Sequence, residues 1–262
     1  MAFREFGTPH GWPILALHGT PGSRLMYAIV AQAAAQLGLR LIAPDRWGYG
    51  RTDPHPRPTL AAWARDAAEL AGGLGLTQLS VVGVSGGSPF AIATAAELGS
   101  RVQKLALVVP VGPMLGPGPG AQLRLLHQLV YFGVGRRPRL VRSLFGGFRR
   151  LLSWSPEWAV SVIAFGQCRQ DRELLKMPAV QTFLSETFRD GLEPGAAGPA
   201  IDLELFSRPW DIPMERISTN SRIWIGKEDR LVPLSAARAL ATLIPGAVLT
   251  ELEARGHFWI TQ

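Results

Sequence analysis

The stretch Leu79-Ser80-Val81-Val82-Gly83-Val84-Ser85-Gly86-Gly87-Ser88-Pro89-Phe90-Ala91 decides how this chain is read. Leu79 to Val84 is a short apolar run of strand length, and Gly86 to Leu98 is an Ala-rich helical pattern. Between them stands Gly83-Val84-Ser85-Gly86-Gly87, a G-x-S-x-G pattern in the strand-to-helix setting that gives it meaning. A serine there has to sit on a sharp, strained turn with its hydroxyl pointing out of the sheet. Small neighbours permit the close backbone approach and the unusual dihedrals. The helix N-terminus behind Ser85 offers free N–H groups and a positive dipole end to a developing oxyanion. Ser85 is the candidate nucleophile.

Working outward, short apolar runs alternate with helical patterns on both sides of this turn. Ile14–Leu17 and Leu39–Ala43 read as buried strands, the second stopped by Pro44. Ser23–Leu37 and Thr59–Leu70 read as helices, with Thr59 an N-cap and Asp66 and Glu69 on a polar face. Lys104–Val109 is another strand. This rhythm argues for βαβ units and a mostly parallel sheet with helices on both faces, an α/β fold. It breaks after Val111. Gly112 to Gly120 holds four glycines and three prolines, and the chain then shows helical patches rich in Arg, Leu, Phe and Trp but no strand as far as Trp210. Gly191–Pro199 reads as a second Gly/Pro loop. Strand Arg222–Ile225, helix Leu234–Leu243 and strand Ala247–Leu252 resume the pattern. The expected organisation is a core of residues 1–112 and 213–262 interrupted by a helical insertion, 113–212.

Composition bounds the function. The chain has 262 residues, 47% hydrophobic and 18% charged, which supplies a core and rules out disorder for the bulk of it. No apolar run approaches the roughly 20 residues of a membrane span. The N-terminus carries Arg4 and Glu5 with no secretory pattern, and one cysteine, Cys168, allows no internal disulfide. A cytoplasmic protein without stable membrane insertion is expected. The net charge is +7, with lysine at only three positions, 104, 176 and 227. Between Glu97 and Glu157 there is no acidic residue, while Arg101, Lys104, Arg124, Arg136, Arg137, Arg139, Arg142, Arg149 and Arg150 lie in the gap. Such a run can bind an anionic substrate, a lipid surface or nucleic acid, or be a solvated helical face. No nucleic-acid motif accompanies it, so the solvated face is expected, with no nucleic-acid partner.

A nucleophilic serine needs a base, and the base an orienting carboxylate. Of five histidines, His10 and His55 lie in Pro/Gly loops, His127 lies in the insertion, and His18 ends the first buried strand. His257 follows the last strand, and the chain order Ser, acid, His favours it as base. No carboxylate follows Lys104–Val109 before Glu157. After Arg222–Ile225 comes Gly226-Lys227-Glu228-Asp229-Arg230-Leu231-Val232-Pro233, where Asp229 is the first choice of acid and Glu228 the second. Asp211 reads as a solvated loop residue.

Five motifs stand in one order along the chain: His18-Gly19-Thr20-Pro21-Gly22-Ser23, Asp45-Arg46-Trp47-Gly48-Tyr49-Gly50-Arg51-Thr52, the Ser85 turn, Gly226 to Pro233, and Gly256-His257-Phe258. As a set they resemble the α/β-hydrolase fold superfamily, and they span the chain outside the insertion. The resemblance implies a Ser85 nucleophile, an Asp229 acid, a His257 base, and an oxyanion hole from the backbone N–H groups of Thr20 and Gly86. It implies that His18 braces the oxyanion loop, that Asp45 and the glycines after it shape a loop, that the insertion is a helical cap, and that no metal or organic cofactor takes part. Relatives that open epoxides or remove halide carry Asp at the nucleophile, so the serine argues against those reactions. The chain ends five residues after His257, where relatives carry a closing helix over one sheet face; that leaves a homodimer open.

The expected activity is hydrolysis of a carboxylic ester or lactone of a small, partly apolar substrate through an acyl-enzyme. Trp154, Trp158, Phe145, Phe148, Phe183 and Phe206 are candidates for an apolar acyl pocket. Two other readings remain: C–C bond hydrolysis of a diketone with the same triad, and a non-catalytic receptor that uses the cavity under the cap.

Overall fold

A computed structural model describes residues 1–113 and 133–261. Arg124, His127 and most of the Gly112–Gly120 segment lie outside the described residues. Seven strands form one sheet: β1 (Phe3–Gly7), β2 (Trp12–Leu17), β3 (Leu39–Pro44), β4 (Leu79–Val84), β5 (Val102–Val108), β6 (Asn220–Gly226) and β7 (Val248–Leu252). Their order is β1-β3-β2-β4-β5-β6-β7. Only β1 runs antiparallel, against β3; every other pair is parallel. β4 is central, so the segment after it leaves the sheet near its middle.

The side-chain period of two sorts the strands between two cores. Leu15 and Leu17 of β2 belong to a large cluster with α2 (Leu60–Gly73), α3 (Ser88–Leu98) and α9 (Leu234–Leu243). Ala16, between them, points to the other face and packs with Tyr27, Ala34, Met26, Trp259 and Ile260. Helices thus cover both faces, as an α/β fold requires. The α2 start follows from its sequence: the Ala62 N–H donates to Thr59 Oγ1 at 3.0 Å.

Two local expectations need correction. Ser23–Leu37 is not one helix. Ser23 caps a 3-10 helix, Arg24–Val30, which only then passes into α1 (Ala31–Gln36). The β-branched pair Ile29 and Val30 sits at the junction, where crowding against the preceding turn disfavours α-helix. Gly191–Pro199 is a loop only over residues 192–196. Gly191 closes α7 (Pro178–Gly191), and Gly198 and Pro199 lie in the first turn of α8 (Ala197–Phe206). A proline costs least there, because first-turn N–H groups have no partner inside the helix.

Between β5 and β6 the described residues are helical: α4 (Pro138–Trp154), α5 (Pro156–Ala164), α6 (Arg169–Leu174), α7 and α8. Leu152, Val160, Leu174, Leu184, Phe188 and Leu192 of this insertion form a core of their own, which takes in Phe258 from the other end of the chain. α8 differs. Its Ile201, Leu205 and Phe206 are part of the large sheet core. No helix among the described residues is long and apolar enough to cross a membrane.

Candidate active site

The site lies where the parallel strands end, the usual ligand edge of an open α/β sheet. Ser85 follows β4 directly and has φ 51°, a left-handed conformation unusual for a residue with a side chain. Gly87 shows why the turn is built of small residues: a Cβ there would lie 2.3 Å from the Leu17 carbonyl oxygen. Ser85 is half-buried and faces a cavity.

Asp229 and His257 come from separate strand ends, after β6 and β7, and meet. The His257 Nδ1–H donates to Asp229 Oδ2 at 2.8 Å. Asp229 Oδ1 accepts from the N–H groups of Leu231 and Val232, both at 2.9 Å. With Nδ1 engaged, Nε2 is the nitrogen of His257 not bound to Asp229, and His257 and Ser85 both line the cavity. Glu228, the second choice, is exposed, and its backbone N–H donates to the Arg255 carbonyl at 2.9 Å. Asp211 is exposed as well.

The electrostatics follow from burial and charge. Burial alone would lower the His257 pKa. The charge of Asp229, its hydrogen bond and the nearby charge of Asp171 outweigh this and hold the imidazole above its usual 6.5. His18 is the opposite case. Burial first, then the charge of Arg46, push it well below that value, with Arg24 adding less, while the hydrogen bond to the Gly19 carbonyl pulls the other way. Neutral His18 donates through Nδ1 to the Gly19 carbonyl at 2.8 Å and accepts at Nε2 from the Arg46 N–H at 3.0 Å. It therefore ties the turn after β2 to the turn after β3.

Thr20 and Gly86 lie side by side across the cavity wall. A Cβ on Gly86 would stand 2.1 Å from Thr20 Oγ1. The Thr20 hydroxyl donates to Asp202 Oδ2 at 2.5 Å, and Tyr49 donates to the same oxygen at 2.6 Å. Arg46 pairs with Asp202 Oδ1, both side chains being about 1% exposed. Asp45 accepts from the Arg24 and Arg51 N–H groups at 2.8 and 2.9 Å, so it does shape the loop it begins.

The cavity measures about 560 Å³. Phe145, Phe148, Phe183 and Phe206 line it, as the sequence suggested, together with Ile163, Leu184 and Phe188. The two tryptophans do not. Trp154 ends α4 and is 84% exposed, and Trp158 sits on the outer side of α5 at 62%. Among the described lining residues there is no Lys, Arg, Asp or Glu. Arg139, Arg142, Arg149 and Arg150 are exposed on α4, as a solvated face is. No group of His, Cys, Asp and Glu among the described residues could hold a metal ion.

Three buried charges at the site were not singled out from sequence: Arg46, Asp171 and Asp202. Arg46 had a signal, its place inside the Asp45 motif. The other two had none. Asp202 meets Thr20 across 182 positions, and Asp171 meets His257 across 86.

Comparison with known proteins bears on the family. The model of the alpha/beta hydrolase fold family matches residues 13–260. A 2-hydroxymuconate semialdehyde hydrolase of Pseudomonas putida is 28% identical over 258 residues, 95% of this chain and 81% of that protein. Among solved structures, an alpha/beta hydrolase fold protein from Nakamurella multipartita is 26% identical with a TM-score of 0.72, covering 99% of this chain and 89% of that one. An esterase from Exiguobacterium antarcticum reaches a TM-score of 0.70 at 20% identity, covering 98% and 88%.

Proposed function

The chain belongs to the alpha/beta hydrolase fold family, and on that premise we propose that it is a serine hydrolase that cleaves a carboxylic ester or lactone of a small, partly apolar substrate. One observation carries the reading: a serine on a strained turn and a His257–Asp229 pair open onto the same apolar cavity. We take residues 113–212 as a cap over a core made of 1–112 and 213–262.

In this reading Ser85 Oγ attacks the acyl carbonyl while His257 Nε2 takes its proton. The Thr20 and Gly86 N–H groups receive the oxyanion, each donor worth about 3 kcal/mol. Asp229 keeps the proton on Nδ1 and stabilises the imidazolium. His257 protonates the departing alcohol oxygen as the C–O bond breaks. Water, deprotonated by His257, then attacks the acyl-enzyme, and the acid leaves as Ser85 regains its proton. The described lining supports a neutral substrate, because a carboxylate would enter with no cation to meet it. Nothing in these steps draws on a metal or an organic cofactor. The buried free thiol of Cys168 fits a cytoplasmic setting.

The Pseudomonas relative favours a second reading, C–C bond hydrolysis with the same three residues. A panel of neutral esters of rising acyl length, a lactone and a 1,5-diketone, run on wild type and Ser85→Ala, separates the two. Saturable ester or lactone turnover that disappears in Ser85→Ala is expected. Turnover of the diketone alone replaces it with the second reading. Folded protein that turns over none of them overturns both and leaves a receptor.

A further inference from the structure

We propose that Asp171 and Asp202, two carboxylates carried by the helical insertion, are positioning residues for the catalytic machinery: Asp171 for the turn that carries His257, and Asp202 for the turn that carries Thr20. The proposal rests on the hydrolase reading above.

Asp171 is on α6 and has no exposed surface. Its Oδ2 accepts from the His257 N–H at 2.7 Å and its Oδ1 from the Phe258 N–H at 2.9 Å. Both oxygens are thus engaged by the backbone of the residue named as base and of its neighbour. The chain makes room for this carboxylate. A Cβ on Gly256 would lie 2.1 Å from Asp171 Oδ2 and 2.4 Å from Cys168 Sγ, so the turn admits Asp171 only as glycine. Placing an ionisable carboxyl in a dry interior is costly unless its acceptors are used. Here they are used to fix where the imidazole begins. The charge also acts on the ring. Asp229 and Asp171 are the two charged groups that raise the His257 pKa, and a neutral thiol, Cys168, sits beside Asp171.

Asp202 does the same for the other half of the site. It is on α8, which is packed into the sheet core by Ile201, Leu205 and Phe206. It accepts from Thr20 Oγ1 and from Tyr49 and pairs with Arg46. Arg46 in turn donates to the carbonyls of His18 and Gly19 at 3.1 and 3.0 Å. The turn that presents the Thr20 N–H is therefore held through the Thr20 hydroxyl and through two carbonyls by groups that reach Asp202, the Gly19 carbonyl being bound by His18 as well. It follows that the insertion does more than cover the cavity. Lifting α6 or α8 would release the base or the oxyanion turn, so any opening that admits substrate has to leave these two helices seated.

The test uses full-length Asp171→Asn and Asp202→Asn. Each keeps the shape and replaces an accepting oxygen with an amide NH2. Melting curves establish that the variants fold. Ester kcat and KM are measured across pH, and the His257 imidazole is titrated by NMR. Both variants are expected to lose tenfold or more in kcat, with KM within threefold. Asp171→Asn is also expected to titrate His257 at lower pH and to move the acid limb of the rate with it. Asp202→Asn leaves that limb in place. If a variant fails to fold, Gly256→Ala displaces the Asp171 carboxylate, and Thr20→Val removes the hydroxyl's bonds to Asp202 and Arg46 while keeping the backbone N–H; the same losses are expected. Folded variants with wild-type kcat and an unmoved His257 titration overturn the proposal. Should the wild type turn over no ester, lactone or diketone, the hydrolase reading fails by itself. The NMR titration then decides Asp171 alone, and an unshifted His257 overturns its part.

Discussion

Asp229 binds His257 through one carboxylate oxygen while its other oxygen is occupied by the N–H groups of Leu231 and Val232. The two halves of this carboxylate are therefore not interchangeable. In Asp229→Asn the amide oxygen is claimed by the two backbone donors, so the NH2 turns towards His257 Nδ1. A donor there forces the proton to Nε2, the wrong tautomer for a base. The expected outcome is a fall of about 10³–10⁴ in kcat with little change in melting temperature, read from steady-state kinetics and a thermal scan.

The raised His257 pKa sets the pH profile. A base must be neutral, and a raised pKa keeps His257 protonated to higher pH. Activity should therefore climb as pH rises through a midpoint above 6.5 in kcat/KM, the parameter that reports the free enzyme. The stability sign is opposite. The fold favours the charged imidazole, so this group's contribution is full below about 6.5 and fades as pH rises through the folded pKa. A rate profile with its acid midpoint at or below 6.5 would contradict the account.

Gly86 carries a steric prediction. A methyl group there meets Thr20 Oγ1 at 2.1 Å and Phe206 Cζ at 3.2 Å. Thr20 is pinned to Asp202 and cannot retreat freely. Gly86→Ala should lower kcat by about 10²–10³, the cost of a lost oxyanion donor, while KM changes little. Stopped-assay kinetics on the purified variant checks it.

The aromatic residues of the insertion divide into two classes. Phe148 lines the cavity, and Trp154 does not. Phe148→Ala should raise KM about tenfold for a medium-chain ester and much less for an acetate. Trp154→Ala should leave both within about twofold, because its ring is in solvent and no substrate contact is lost. A panel of acyl lengths on both variants decides between them.

How far the sequence led varies with the range of the interaction. Six strands are legible because each is a short apolar run between turn residues, whereas β1 escapes because Arg4 and Glu5 interrupt its apolar residues; Thr59 and Leu234–Leu243 match closely because cap and amphipathic period are local signals. Ser23–Leu37 misled because Ala, Gln and Leu mask the β-branched pair that tightens it into a 3-10 turn. Gly191–Pro199 is a loop at its centre, and only its edges differ, because Gly198 and Pro199 read as loop residues in isolation while a first helical turn tolerates both. In the site, Ser85, Asp229 and His257 sit at strand ends, where the rhythm of the chain points to them. Trp154 and Trp158 could not be told from Phe145 and Phe148 by composition; only helix orientation separates them. Asp171 and Asp202 were invisible for a stricter reason. Each is a lone carboxylate on a helix, and its partners lie on turns far away in sequence.

The central claim is that Ser85 is an activated nucleophile. Intact-mass measurement after exposure to a fluorophosphonate probe tests it most directly, with Ser85→Ala as control. The account predicts a single covalent adduct on the wild type and none on the variant. An unlabelled, well-folded wild type, or equal labelling of Ser85→Ala, would contradict it.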